Sequence, residues 1–161
     1  MKKNLWCLLA MVAGLAACGG EPSPRPAGNG LVVDTPWSRA VPPQAPVAAG
    51  YMTLRNGTAA DDRLVEVRSE AAARVEIHEV RHEDGMARMR PLAHGVPVAA
   101  GATVEFKPGG YHLMFITPGE QFVAGRHVPA TLVFEQAGEV PVDFEVRALG
   151  TTGDEAGHGD H

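Results

Sequence analysis

Four side chains, His78, Met89, His112 and Met114, carry soft or borderline donor atoms at short spacings. His112 and Met114 lie two residues apart in the run Lys107 to Gly119, KPGGYHLMFITPG. Proline- and glycine-containing turns bracket the stretch from Tyr111 to Thr117, which is expected to be extended. In a strand, residues i and i+2 share a face, so one imidazole and one thioether would stand side by side. Leu113 and Phe115 take the opposite face and read as core. An imidazole with a thioether is half of a site for a soft metal ion. Candidates for the other half are His78, on the polar face of Arg74 to Val80 (RVEIHEV), and Met89, in the segment Met86 to Arg90. The ten residues between His78 and Met89 match a strand end, a turn at Glu83-Asp84-Gly85 and a return strand. That spacing can bring His78 and Met89 together, but it does not bring them to His112.

The elements that must position these groups read as short strands. Leu31 to Asp34, Gly50 to Arg55, Arg63 to Arg68, Arg74 to Val80, Met86 to Arg90, Thr103 to Phe106, Ala130 to Gln136 and Val140 to Leu149 are strand-like, with turns such as Asn56-Gly57 between them. Ser69 to Ala73 offers only a short helical turn, and Pro91, Gly95 and Pro97 mark a loop. Seven to nine strands without a long amphipathic helix predict an all-β single domain, a sandwich or barrel. Met52 falls in a strand and reads as core, while His82, His94 and His127 read as solvated.

The ends of the chain carry different information. Lys2 and Lys3 precede the apolar run Leu5 to Ala17, which is too short to span a bilayer comfortably. Leu15-Ala16-Ala17-Cys18 resembles the bacterial lipobox, in which the cysteine becomes the lipidated first residue. Residues 1–17 are therefore expected to be a lipoprotein signal peptide, with lipidated Cys18 opening a Pro/Gly-rich tether over 18–30 and the domain over 31–149. By resemblance to Gram-negative lipoproteins, Gly19 after the cysteine, rather than Asp, implies the outer membrane, with the domain facing the periplasm. Removal of residues 1–17 takes Cys7 with it, so the mature domain has no free thiol and no disulfide. It also takes two of the 14 basic residues, leaving 12 against 19 acids, a balance that argues against a nucleic-acid partner. The tail, residues 150–161, is polar and glycine-rich, and holds His158 and His161 among three acids.

The pattern His-x10-Met…His-x-Met, with the phrases VEIHE, GMARMRP and KPGGYHLM, resembles the periplasmic copper chaperones that serve the Cu(A) centre of cytochrome c oxidase. The resemblance runs from about Leu31 to Leu149. Met89 and His112 enclose 22 residues, one more than that family usually holds, and the extra residue falls at Ala93-His94-Gly95. The resemblance implies a cupredoxin-like Greek-key β-sandwich that binds Cu(I) through His78, Met89, His112 and Met114. It also implies delivery to oxidase subunit II or to an assembly factor of Sco or thioredoxin-like type, with no catalytic turnover. Donor chemistry agrees, since thioether and imidazole suit soft Cu(I), whereas Ca, Mg and Mn prefer oxygen. Blue-copper electron transfer needs a cysteine thiolate that the mature domain lacks, and no HExxH-like run suggests catalytic zinc. Copper buffering or resistance is the alternative role. Met86 either lines the site or fills a loop, and the tail His158 and His161 read equally as a second, Cu(II) site or as solvated chain.

Overall fold

The computed structural model describes residues 26–27, 30–148 and 150. Eleven strands follow in order: β1 (Pro26–Ala27), β2 (Leu31–Arg39), β3 (Val47–Asn56), β4 (Asp62–Arg68), β5 (Ala72–Glu83) and β6 (Met86–Pro91). The rest are β7 (Val96–Val98), β8 (Thr103–Phe106), β9 (His112–Pro118), β10 (His127–Phe134) and β11 (Gly138–Arg147). No α-helix occurs among the described residues, so the all-β expectation holds.

Hydrogen bonds link the strands in the order β6-β5-β9-β3-β2-β11-β10-β4-β7, with β1 on β2 and β8 on β3. β9 inserts between β5 and β3, and β10 and β11 insert between β4 and β2. These long returns are the Greek-key connectivity expected. Strand β3 serves both β9 and β8, pairing Val47 to Gly50 with the former and Met52 to Arg55 with the latter. The path folds over one core. Phe115 of β9 and Phe144 of β11 are three strands apart along it, yet their rings meet edge-on at 5.6 Å.

Eleven strands exceed the seven to nine read from the sequence, and the additions have a common cause. β7 was expected as loop because Pro97 interrupts it. Val96 and Val98 are both sealed from solvent, and Pro97 is tolerated because β7 ends the strand path, where no further donor is needed. β1 joins the sheet from within the expected tether, through Pro26↔Val32 and Ala27↔Leu31. Two residues have no alternation to read. The Ser69 to Ala73 helical turn is instead a tight turn at Glu70-Ala71, after which β5 begins.

Gly50 sits where β2, β3 and β9 come together, paired with Ser38 on one side and Leu113 on the other. A β-carbon there would stand 2.7 Å from the Phe115 ring and 3.5 Å from Phe144. Phe115 cannot yield, because it also packs on Phe122 at 5.1 Å and is fully buried. Gly50→Ala is therefore expected to destabilise the fold by about 1–3 kcal/mol through overpacking, read as a lower midpoint in denaturant. An unchanged midpoint would mean that this crossing is looser than the geometry states.

Candidate metal centre

The site begins with a turn. Asp84 and Gly85 both adopt left-handed backbone conformations, φ 52° and 76°, which makes the two-residue loop of a type I′ hairpin. The loop closes on the pair Glu83↔Met86 and so fixes the register of β6 on β5, including Val80↔Met89. Paired residues in an antiparallel ladder share a face. Met89 therefore lies on the face of Val80, His78 and Glu76, and a slip of one residue would move it to the other side. Glu79, on the opposite face, clamps the hairpin by accepting from Arg90 at 2.7 Å and pairing with Arg81 at 3.0 Å.

The other pair of candidate donors comes from β9. Its register on β5 sets His78 directly opposite His112 and Glu76 opposite Met114. Leu113, Phe115 and Ile77 alternate into the core. His78, Met89, His112 and Met114 thus gather on one face of three adjacent strands, outside the hydrophobic core. Met86 does not join them. Its partner Glu83 belongs to the face of Glu79 and Arg81, and the Met86 side chain is exposed.

The two imidazoles are each 8% exposed and their ring centroids are 5.8 Å apart. His112 Nδ1 lies 3.0 Å from the Gly110 carbonyl oxygen, which can only accept. Nδ1 therefore carries the proton, and in the neutral ring Nε2 presents a lone pair. That lone pair faces Met89 Sδ at 3.2 Å. Two electron-pair donors this close call for a cation between them. Ligands at about 2.0 and 2.3 Å from a tetrahedral ion stand roughly 3.5 Å apart, within a few tenths of the spacing seen.

His78 repeats the arrangement with its nitrogens exchanged. Nε2 lies 2.8 Å from Glu76 Oε2. The His78 contact, then Arg74, holds the Glu76 carboxyl below its usual range, so it is ionised and accepts. Nδ1 of His78 is buried without any partner, the one side-chain nitrogen or oxygen in that condition among the described residues. Elsewhere the fold satisfies such groups. Buried Ser38 donates to Ala49 O at 2.8 Å, and buried Asn56 donates to Ala60 O and Val98 O while accepting from Thr58. An orphaned buried donor atom is the exception that asks for a ligand.

Among the described residues no three His, Cys, Asp or Glu side chains form a metal-sized group. The gathered donors are two imidazoles and two thioethers, a soft and neutral set. His82, His94 and His127 are exposed. Tyr111 packs on Phe106 at 5.8 Å and lines a cleft with Glu79 and Glu105. Cys18, His158 and His161 lie outside the described residues. Sequence reasoning passed over Glu76 and Gly110, which hold the two rings. Glu76 was findable, since it stands two residues before His78 on the same face.

The sequence matches the LpqE-like lipoprotein family over residues 31–146. The chain belongs to that family. Among solved structures, this LpqE-like chain is similar to the copper-bound PCuAC domain from PmoF2, at 27% identity and a TM-score of 0.64 over 78% of this chain and 98% of that one. It is also similar to CuI-DR1885 from Deinococcus radiodurans, at 26% identity and a TM-score of 0.57 over 71% of this chain and 78% of that one. Lxx21020 of Leifsonia xyli subsp. xyli, named as a lipoprotein, is 25% identical over 143 residues, 86% of this chain and 85% of its own. The cupredoxin-like fold and the copper-chaperone resemblance drawn from the His–Met pattern agree with these neighbours.

The hairpin clamp of this LpqE-like chain carries a pH dependence. The Arg90 guanidinium, with Arg81 adding to it, holds the Glu79 carboxyl below its usual range. A carboxyl lowered in the fold stabilises it above the unfolded pKa and loses that contribution as pH falls through the folded pKa. Glu79→Gln should therefore lower Tm near neutral pH, with the gap to wild type closing below about pH 4. A gap that does not change with pH would show that the ionised carboxylate is not what stabilises the hairpin.

Proposed function

We propose that this protein is a lipid-anchored Cu(I) carrier that binds its cargo through His78, Met89, His112 and Met114 and hands it on for assembly of the Cu(A) site of cytochrome c oxidase. The observation that carries the reading is the convergence of unprotonated donors. His112 Nε2 faces Met89 Sδ at 3.2 Å, and the paired His78 keeps a buried Nδ1 without a partner. Similarity to a copper-bound PCuAC domain supports copper as the ion. The family's lipoprotein name supports an anchor at Cys18, and Gly19 after it is the sequence feature that favours the periplasmic face of the outer membrane.

The donors suit transport rather than redox cycling. Four neutral ligands leave a Cu(I) site with a net charge near +1, which disfavours Cu(II). Thioethers lose no proton on binding and form no disulfide, so they persist where thiolates would be oxidised. Release follows from exposure. The histidines are nearly buried, whereas Met89 is 56% exposed on β6, the end strand of the sheet. An acceptor's soft donor, on oxidase subunit II or on a Sco-type or thioredoxin-like factor, would reach the ion there and displace Met89 first. Residues 31–149 contain no cysteine, which counts against an electron carrier on the same fold.

The test is an anaerobic Cu(I) competition titration of the mature chain against a chromophoric chelator. One tight equivalent is expected for wild type. Met89→Ala and His112→Ala should each weaken it by more than about tenfold, or ~1.4 kcal/mol, and Met86→Ala should leave it unchanged. Failure of the wild-type chain to compete would end the carrier reading, and an intense blue colour with Cu(II) would favour electron transfer instead.

A further inference from the structure

The sheet face that gathers the metal donors also carries a polar relay that ends at His78. Arg74, Glu76 and His78 occupy alternate positions of β5 and so point the same way. Arg74 Nε donates to Glu76 Oε1 at 2.7 Å, and Glu76 Oε2 accepts from His78 Nε2 at 2.8 Å. Each carboxylate oxygen thus has one task. Glu76 stands opposite Met114 in the ladder, so the relay borders the donor set directly. Its side chain is 32% exposed against 11% for His78, so the carboxylate bridges the buried ring to the rim.

We propose that Glu76 is a positioning residue for metal binding: it holds the His78 ring by Nε2 and so turns Nδ1, rather than Nε2, toward the cargo ion. This rests on the carrier reading above and adds the element that orients its first histidine. Without the carboxylate, nothing in the described contacts distinguishes the two ring nitrogens. The ring could then rotate and offer Nε2 to solvent. A carboxylate on the far nitrogen also raises the basicity of the near one, a pattern common behind metal-bound histidines. His112 reaches the same end differently, with the Gly110 carbonyl holding its Nδ1. The two rings are therefore expected to bind through unlike nitrogens, His78 by Nδ1 and His112 by Nε2.

Anaerobic Cu(I) competition on the mature chain tests this through a double-mutant cycle. Glu76→Ala should weaken Cu(I) binding about 10–100-fold, and Glu76→Gln, which keeps an acceptor oxygen, should lose less. In a His78→Ala background, Glu76→Ala should cost nothing further. In the metal-free protein, the His78 ring N–H should be protected from exchange in wild type and unprotected in Glu76→Ala, with the same folded spectrum elsewhere. An equal loss with and without His78 would mean that Glu76 acts by another route and would overturn the proposal. So would wild-type affinity in Glu76→Ala. A wild-type chain that binds no Cu(I) would instead remove the carrier reading, and the assigned role with it.

Discussion

An imidazole buried in a protein needs both nitrogens answered, and on His78 the structure answers only one. The Glu76 carboxylate accepts from His78 Nε2 and leaves Nδ1 buried without a partner, while the Gly110 carbonyl accepts from His112 Nδ1 and leaves Nε2 facing Met89 Sδ. Leaving a buried polar atom unsatisfied costs about 1–3 kcal/mol. A fold that satisfies buried Asn56 and Ser38 in full tolerates that cost at one place only among its described residues. The surrounding architecture explains how it can be tolerated. The β5–β9 register places the two rings side by side, and the Glu76 carboxylate and the Gly110 carbonyl each hold one of them by a ring nitrogen. On the carrier reading, preorganisation of this kind keeps the unfavourable term in the free protein and releases it when an ion arrives.

Register is the mechanism that makes this possible, and it was partly legible. The His-x-Met alternation on β9, the core side of Leu113 and Phe115 and the Asp84-Gly85 turn all follow from local rules, and each appears as read. The type I′ loop has a consequence beyond turning the chain. By closing on Glu83↔Met86 it puts Met89 on the histidine face and Met86 on the other, so two methionines three residues apart have different surroundings. The ambiguity over Met86 could have been resolved by counting pairs back from the turn.

What could not be read locally is the insertion of β9 between β5 and β3. That neighbour relation joins residues more than thirty apart in the chain, His78 and His112, and no propensity or periodicity encodes it. Only the family resemblance supplied it in advance. The short strands β1 and β7 escaped for a different reason, since two or three residues around a proline carry too little pattern. Glu76 escaped because a strand carboxylate beside an arginine reads as an ordinary solvated pair. The available signal was its place two residues before His78 on the same face, and the contact of its second oxygen with His78 gives that signal its meaning.

On the carrier reading, the same geometry separates holding from letting go. His78 and His112 sit on β5 and β9, inside the strand path and flanked on both sides, whereas Met89 rides on β6 at the end of that path. Tight retention and rapid release make opposite demands on a binding site, because affinity differences fall mainly on the dissociation step. A site whose ligands were all buried would hold its ion but admit no competitor. One whose ligands were all exposed would exchange freely but lose the benefit of desolvation. Dividing the donors between interior strands and an edge hairpin avoids both limits, provided that the hairpin keeps its register. That condition falls on the Glu79 clamp, which accepts from Arg90 across the strand pair on the face away from the ion. On the proposed reading, then, the arginine–glutamate clamp stabilises the one ligand that must be both available to a partner and correctly placed when no partner is there.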